Sequence, residues 1–143
     1  MFFRSFRYAF EGIVAAFSEQ NFRSHTLSAV IVCIAGYVSH LSQMEWVIIL
    51  LVIALMFALE MVNTAIERVV DLASPEIHPL AKQAKDIAAG AVLVFAIASA
   101  IIGLLIFLPK WFKKWKLLGQ SRNARRKLER HKWVVPRVGW IIE

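Results

Sequence analysis

The sequence predicts an all-α membrane protein, in which an N-terminal amphipathic surface helix precedes three transmembrane helices. Three observations carry that prediction. Residues 87–108, IAAGAVLVFAIASAIIGLLIFL, run for 22 positions without a charge, and a helix needs about 20 apolar residues to cross a hydrocarbon core. Trp46 to Leu59 forms a second uninterrupted apolar run. The chain of 143 residues, one domain by length, is 59% hydrophobic with a mean hydropathy of +0.60, high for a water-soluble domain of this size.

The N-terminal helix is expected over about residues 2–20. Phe3, Phe6, Phe10, Ile13 and Phe17 fall within an arc of about 80° at helical spacing, and Arg4, Arg7, Glu11 and Ser18 gather opposite them. Such a face suits the membrane interface, with some packing on protein, and it is not the apolar core of a secretory signal. A polar hinge, SEQNFRSH (Ser18 to His25), follows. Leu27 to Leu41 is the first span, short enough to need its flanks. The turn SQME leads into the second span, which continues helically through charged residues to about Ala73. Pro75 and Pro79 then end one helix and begin the next. Pro79 suits a first helical turn, where a missing N–H is no loss. Cys33 is a lone packing residue.

Charge divides the chain into residues 1–108, a membrane domain, and a basic tail, 109–143. Eleven of the 17 basic residues lie in the last 34 positions, which carry a net charge of +9, while the preceding 109 residues carry −2. Arg4, Arg7, Arg23, Arg68, Lys82 and Lys85 place the N-terminus, the hinge and the proline loop in the cytoplasm, and SQME outside. In the tail, WFKKWKLL mixes interfacial aromatics with lysines, a composition suited to anionic phospholipid headgroups. WVVPRVGWII is too short to span. Tethering to a membrane disfavours a nucleic-acid partner for this tail.

The segment FALEMVNTAIERVVD (Phe57 to Asp71) carries the chemistry. With Glu60 at 0° and about 100° per residue, Asn63 falls near −60°, Thr64 near 40°, Glu67 near −20° and Asp71 near 20°. The residues between them on other faces are mainly apolar, so the five form a polar seam between helices or along a cavity. Ionisable groups at membrane depth usually mark a site. Two such carboxylates can share a divalent cation, or one can hold the metal while the other acts as general base. The structural alternative is an interhelical hydrogen-bond network. At the start of the last helix, Lys82, Lys85 and Asp86 suit either phosphate or interfacial anchoring. None of the six glycines forms a G-x-G, and His25, His40, His78 and His131 lack metal-ligand spacing.

EMVNTAIERVVD, followed by EIHPLAKQAKDIAAGAVL and preceded by FRYAFEGIVAAFSEQNFRSH with its E-x-N-F-R-x-H run, resembles the small prokaryotic diacylglycerol kinase family. The likeness runs from Phe3 to Leu108 and is strongest to the family's undecaprenol kinases of Gram-positive type. It implies a homotrimeric lipid kinase in the bacterial cytoplasmic membrane, multi-pass, with its site facing the cytoplasm. Its co-substrate would be ATP and its cofactor Mg²⁺. Glu60 matches the catalytic base, and Glu19 and Glu67 the carboxylates that hold magnesium against the ATP phosphates. Tyr8, Glu76, His78, Lys85 and Asp86 match nucleotide contacts, while Asn63 and Arg23 match supporting positions and Asp71 a structural one. The basic tail departs from the family's compact form. Undecaprenol is the expected acceptor, with diacylglycerol as the alternative. A non-catalytic membrane adaptor and an ion-conducting oligomer are the readings from other function classes.

Overall fold

The computed structural model of the protein describes residues 2–74 and 78–132, which form four α-helices: α1 (Phe2–Ala16), α2 (Gln20–Val38), α3 (Gln43–Ala73) and α4 (Pro79–Lys132). Pro75 and the stretch from residue 133 onward, including WVVPRVGWII, lie outside the described residues. The chain divides into two compact units, Met1–Phe107 and Leu108–Glu143.

In the first unit, Phe6, Phe10 and Ile13 on the apolar side of α1 are exposed, and Ala16 is buried. The amphipathic pattern therefore leaves Phe6, Phe10 and Ile13 accessible to a membrane or another chain, while Phe17, at the end of the same face, packs on Phe22 of its own chain. The expected hinge is much shorter than Ser18 to His25. Only Phe17–Glu19 separate α1 from α2, because Phe22 packs edge-on to Phe17 at 4.9 Å and against Phe57 of α3 at 5.0 Å. That aromatic anchor gives the polar segment a reason to be helical from Gln20.

Helix α2 stops at Val38, short of the expected Leu41. Its last turn closes through Leu41 N–H donating to the Gly36 carbonyl at 3.2 Å, with His40 in the left-handed region at φ 50°, a conformation histidine adopts more readily than most residues. From Leu27 to Val38 the apolar part of α2 measures only about 18 Å. Among the described residues two helices are long and apolar enough to cross a membrane, Gln43–Ala73 and Pro79–Arg130.

Helix α3 starts from a capping box at Ser42. The Ser42 N–H donates to Glu45 Oε2 at 2.6 Å, and the Glu45 N–H donates back to Ser42 Oγ at 3.4 Å, which satisfies otherwise orphaned helix-end groups. Helix α4 begins at Pro79, as its fixed φ predicts. It continues past the expected end at Leu108, through Pro109, which removes one N–H donor. In the second unit the helical residues to 130 are largely exposed.

A small core of Leu41, Ile49 and Phe107, with Trp46 and Val32 against it, closes one end of the first unit. The flanks of the apolar runs are bare, with Leu50, Leu51, Leu93, Val94 and Leu105 all exposed. An unpartnered surface of this extent belongs against lipid or other chains. At the core end, α2 approaches α3 closely through Gly36, where a Cβ would lie 3.0 Å from both Leu41 and Trp46 side-chain atoms. Gly36→Val is expected to destabilise the fold by about 1–3 kcal/mol through overpacking, measured as a lowered unfolding midpoint in detergent.

Candidate active site

The end of the first unit opposite that core is polar, and α3 organises it. Glu60, Asn63 and Thr64 are the buried polar residues among the described ones, with Glu60 only 2% exposed. Glu67, one turn on, is half-buried, and Asp71 is exposed. The seam expected from helical spacing is therefore present, and it grades from a dry end at Glu60 to a wet end at Asp71.

Each member meets a neighbour. His25 of α2 brings Nε2 to 3.9 Å from Glu60 Oε2, too far for a direct hydrogen bond. Asn63 donates from Nδ2 to Glu67 Oε1 at 3.1 Å, while its Oδ1 is buried without a partner. Arg68 donates from Nη2 to Glu19 Oε1 at 2.8 Å. Glu19 is the N-cap residue of α2, yet its side chain makes no cap bond. Its carboxylate crosses to α3 instead. Lys85 of α4 donates to Asp71 Oδ1 at 2.9 Å. Lys85 precedes the apolar run of α4, and the hydrogen bond to Asp71 raises its pKa. Desolvation opposes that rise, and the charges of Asp71 and Glu67 add to it.

Other expected site residues stand apart from the seam. Asp86 pairs with Lys82 one turn earlier on its own helix, so Lys85 and Asp86 face separate partners. His78 Nδ1 accepts the Leu80 N–H at 3.2 Å, at the start of α4. Tyr8 is exposed on α1, with the Arg7 guanidinium 5.4 Å from its ring centre. Arg23 is exposed on α2. Glu76 lies outside the described residues.

Two participants were not legible as site residues beforehand. His25 had a signal, since it ends the E-x-N-F-R-x-H run. Arg68 had none, because its partner Glu19 lies 49 residues away. Among the described residues no three of His, Cys, Asp and Glu converge to hold a metal ion. The donor set suits magnesium nonetheless, because Mg²⁺ commonly takes one or two protein carboxylates and completes its shell with phosphate and water oxygens. Glu67, oriented by Asn63, and Glu19 offer hard oxygen ligands of that kind.

A family model described as prokaryotic diacylglycerol kinase matches residues 7–107. An undecaprenol kinase of Bacillus subtilis (strain 168) is 57% identical over 110 residues, covering 76% of this chain and 89% of that protein. A diacylglycerol kinase of Synechocystis sp. is 48% identical over 107 residues, or 73% of this chain, and the match spans 61% of that protein's length. A diacylglycerol kinase of Escherichia coli (strain K12) is 31% identical over 106 residues, covering 73% of this chain and 86% of that protein. The family match takes in the whole polar seam and the helices that carry it, and the chain belongs to the prokaryotic diacylglycerol kinase family.

Proposed function

We propose that the protein is an ATP- and Mg²⁺-dependent kinase that phosphorylates the hydroxyl of undecaprenol to undecaprenyl phosphate. The observation that carries this reading is Glu60, a carboxylate 2% exposed at the end of the apolar run of α3, in a chain of a lipid kinase family. A base at that depth meets a hydroxyl whose chain is still in lipid. Glu60 takes the hydroxyl proton as the acceptor oxygen bonds to the γ-phosphorus and the bond to the β-phosphate oxygen breaks, leaving ADP. Phosphoryl transfer requires chiefly positioning and charge neutralisation.

Glu19 and Glu67 hold Mg²⁺ in this reading, with Asn63 fixing the Glu67 carboxylate and Arg23 in support. When bound, the ion neutralises charge on the nucleotide phosphates. Arg68 and Lys85 are cations at the wet end of the seam, each balanced by an exposed or half-exposed carboxylate. Such pairs are weak in water, so the cations are available to phosphate. Tyr8, Glu76, His78, Lys85 and Asp86 contribute nucleotide contacts.

The protein works at the cytoplasmic face of the bacterial cytoplasmic membrane as a homotrimer, with α2 as its third, short span. Exposed apolar flanks on α3 and α4 support lipid and subunit contacts. Residues 1–108 form the kinase domain, and the basic tail, 109–143, binds anionic phospholipid headgroups. Undecaprenol is preferred because the Bacillus relative bearing that name is 57% identical. Relatives named diacylglycerol kinase, at 48% and 31% identity, favour diacylglycerol as the second reading. Family membership weighs against an adaptor or an ion conductor.

In detergent micelles with ATP and magnesium, the protein is expected to phosphorylate undecaprenol faster than diacylglycerol; the reverse order moves the second reading ahead. Glu60→Gln is expected to lower turnover about a hundredfold or more while helicity and melting stay unchanged. Near wild-type turnover in that variant removes the base from Glu60. In vesicles, the combined change Lys113→Gln, Lys114→Gln and Lys116→Gln is expected to flatten the rise of activity with phosphatidylglycerol content, with micellar activity unaltered.

A further inference from the structure

Between α2, α3 and α4 of the first unit lies an apolar groove of about 400 Å³, within the ~300–1,000 Å³ range of small-molecule sites. His25 and Ser28 line it from α2, Ile53 and Phe57 from α3, and Ser99 and Gly103 from α4. From Phe57 to Ile49 on α3 it extends about 12 Å. Its serines spend their O–H donors within their own helices. Ser28 Oγ donates to the Ser24 carbonyl at 3.0 Å, and Ser99 Oγ to the Phe95 carbonyl at 2.7 Å. His25 is thus the side-chain hydrogen-bond donor left to the lining, and it stands beside Glu60.

The separation of that pair is informative. At 3.9 Å, His25 Nε2 and Glu60 Oε2 are too far apart to bond directly. One oxygen placed about 2.8 Å from each would bridge them at an angle of roughly 90°. A hydroxyl is suited to that position, because it donates its proton to Glu60 and accepts the Nε2–H of His25. The groove then takes the apolar chain attached to it.

We propose that His25 is a positioning residue that holds the acceptor hydroxyl against Glu60, and that the groove it heads binds the lipid chain. The inference rests on the lipid kinase reading. In the reaction, the hydroxyl proton passes to Glu60, the lipid oxygen–phosphorus bond forms, the γ-phosphorus–ADP oxygen bond breaks, and His25 keeps its own proton throughout. Its contribution is a hydrogen bond that fixes the nucleophile, and its loss weakens acceptor binding without touching the nucleotide.

Gly103 gives a way into the groove, which it lines and where a Cβ meets nothing within 4 Å. The experiment compares kcat/KM for undecaprenol and for the single-unit alcohol prenol, together with the KM for ATP, in the wild type, Gly103→Leu, His25→Leu and His25→Gln. Gly103→Leu is expected to lower kcat/KM for undecaprenol several-fold while prenol and ATP values stay unchanged. His25→Leu is expected to lower it for both alcohols roughly two- to tenfold, the worth of one neutral hydrogen bond, with ATP unaffected. His25→Gln, which keeps an N–H donor at the same reach, should recover most of the loss. Equal losses in His25→Leu and His25→Gln overturn the positioning role. A Gly103→Leu variant that loses both alcohols alike, or neither, overturns the chain site. So does one whose oligomeric state changes by light scattering in detergent, because the groove then belongs to a second copy. A wild type inactive on every lipid alcohol, or a fully active Glu60→Gln, instead brings down the kinase reading and this inference with it.

Discussion

The structure depends on keeping one carboxylate dry. Glu60 sits in α3 with 2% of its surface exposed, and an ionisable group so placed is costly unless neighbours or a ligand compensate. Its surroundings serve that condition. Phe22 lies between Phe17 and Phe57, sealing the α1–α2 turn against α3 and bringing His25 alongside. Removing the aromatic anchor would loosen the turn and admit water to Glu60 together. Packing and chemistry at this end of the molecule are therefore not separable.

From Glu60 the polar contacts form a graded series toward water. Asn63, still buried, and half-buried Glu67 follow, then Arg68 with Glu19, then Asp71 with Lys85. The outer pairs are exposed enough that they add little net stability. Their value lies in exchange: a cation held loosely by a carboxylate releases it to a more highly charged anion with little penalty. The Oδ1 of Asn63, buried without a protein partner, sits where the series passes from dry to wet.

Local patterns made much of this legible. The apolar runs located α3 and the membrane part of α4, Pro79 marked a helix start, and 100° spacing placed Glu60, Asn63, Thr64, Glu67 and Asp71 on one face. What escaped was tertiary. The polar run Ser18 to His25 reads as a hinge because its composition is hydrophilic, but Phe22 anchors it on α3 and the helix forms. Glu19 is the N-cap residue of α2, but its carboxylate spans 49 residues to Arg68. Lys85 and Asp86, neighbours in sequence, face different partners, Asp71 and Lys82. Adjacency in sequence carries no information about such choices, since each is decided by a helix folded elsewhere in the chain.

The Ser42–Glu45 capping box has an effect at the far end of its helix. α3 has 31 residues and measures about 46 Å, well beyond a hydrocarbon core of about 30 Å. In the proposed topology, with Ser42 at the outer surface, the surplus length emerges at the other end. A thinner or thicker bilayer then has no slack to absorb at Ser42, and the mismatch is taken up by tilt or by sliding at the carboxylate end. Membrane thickness becomes a variable that sets how far Glu60 stands from water.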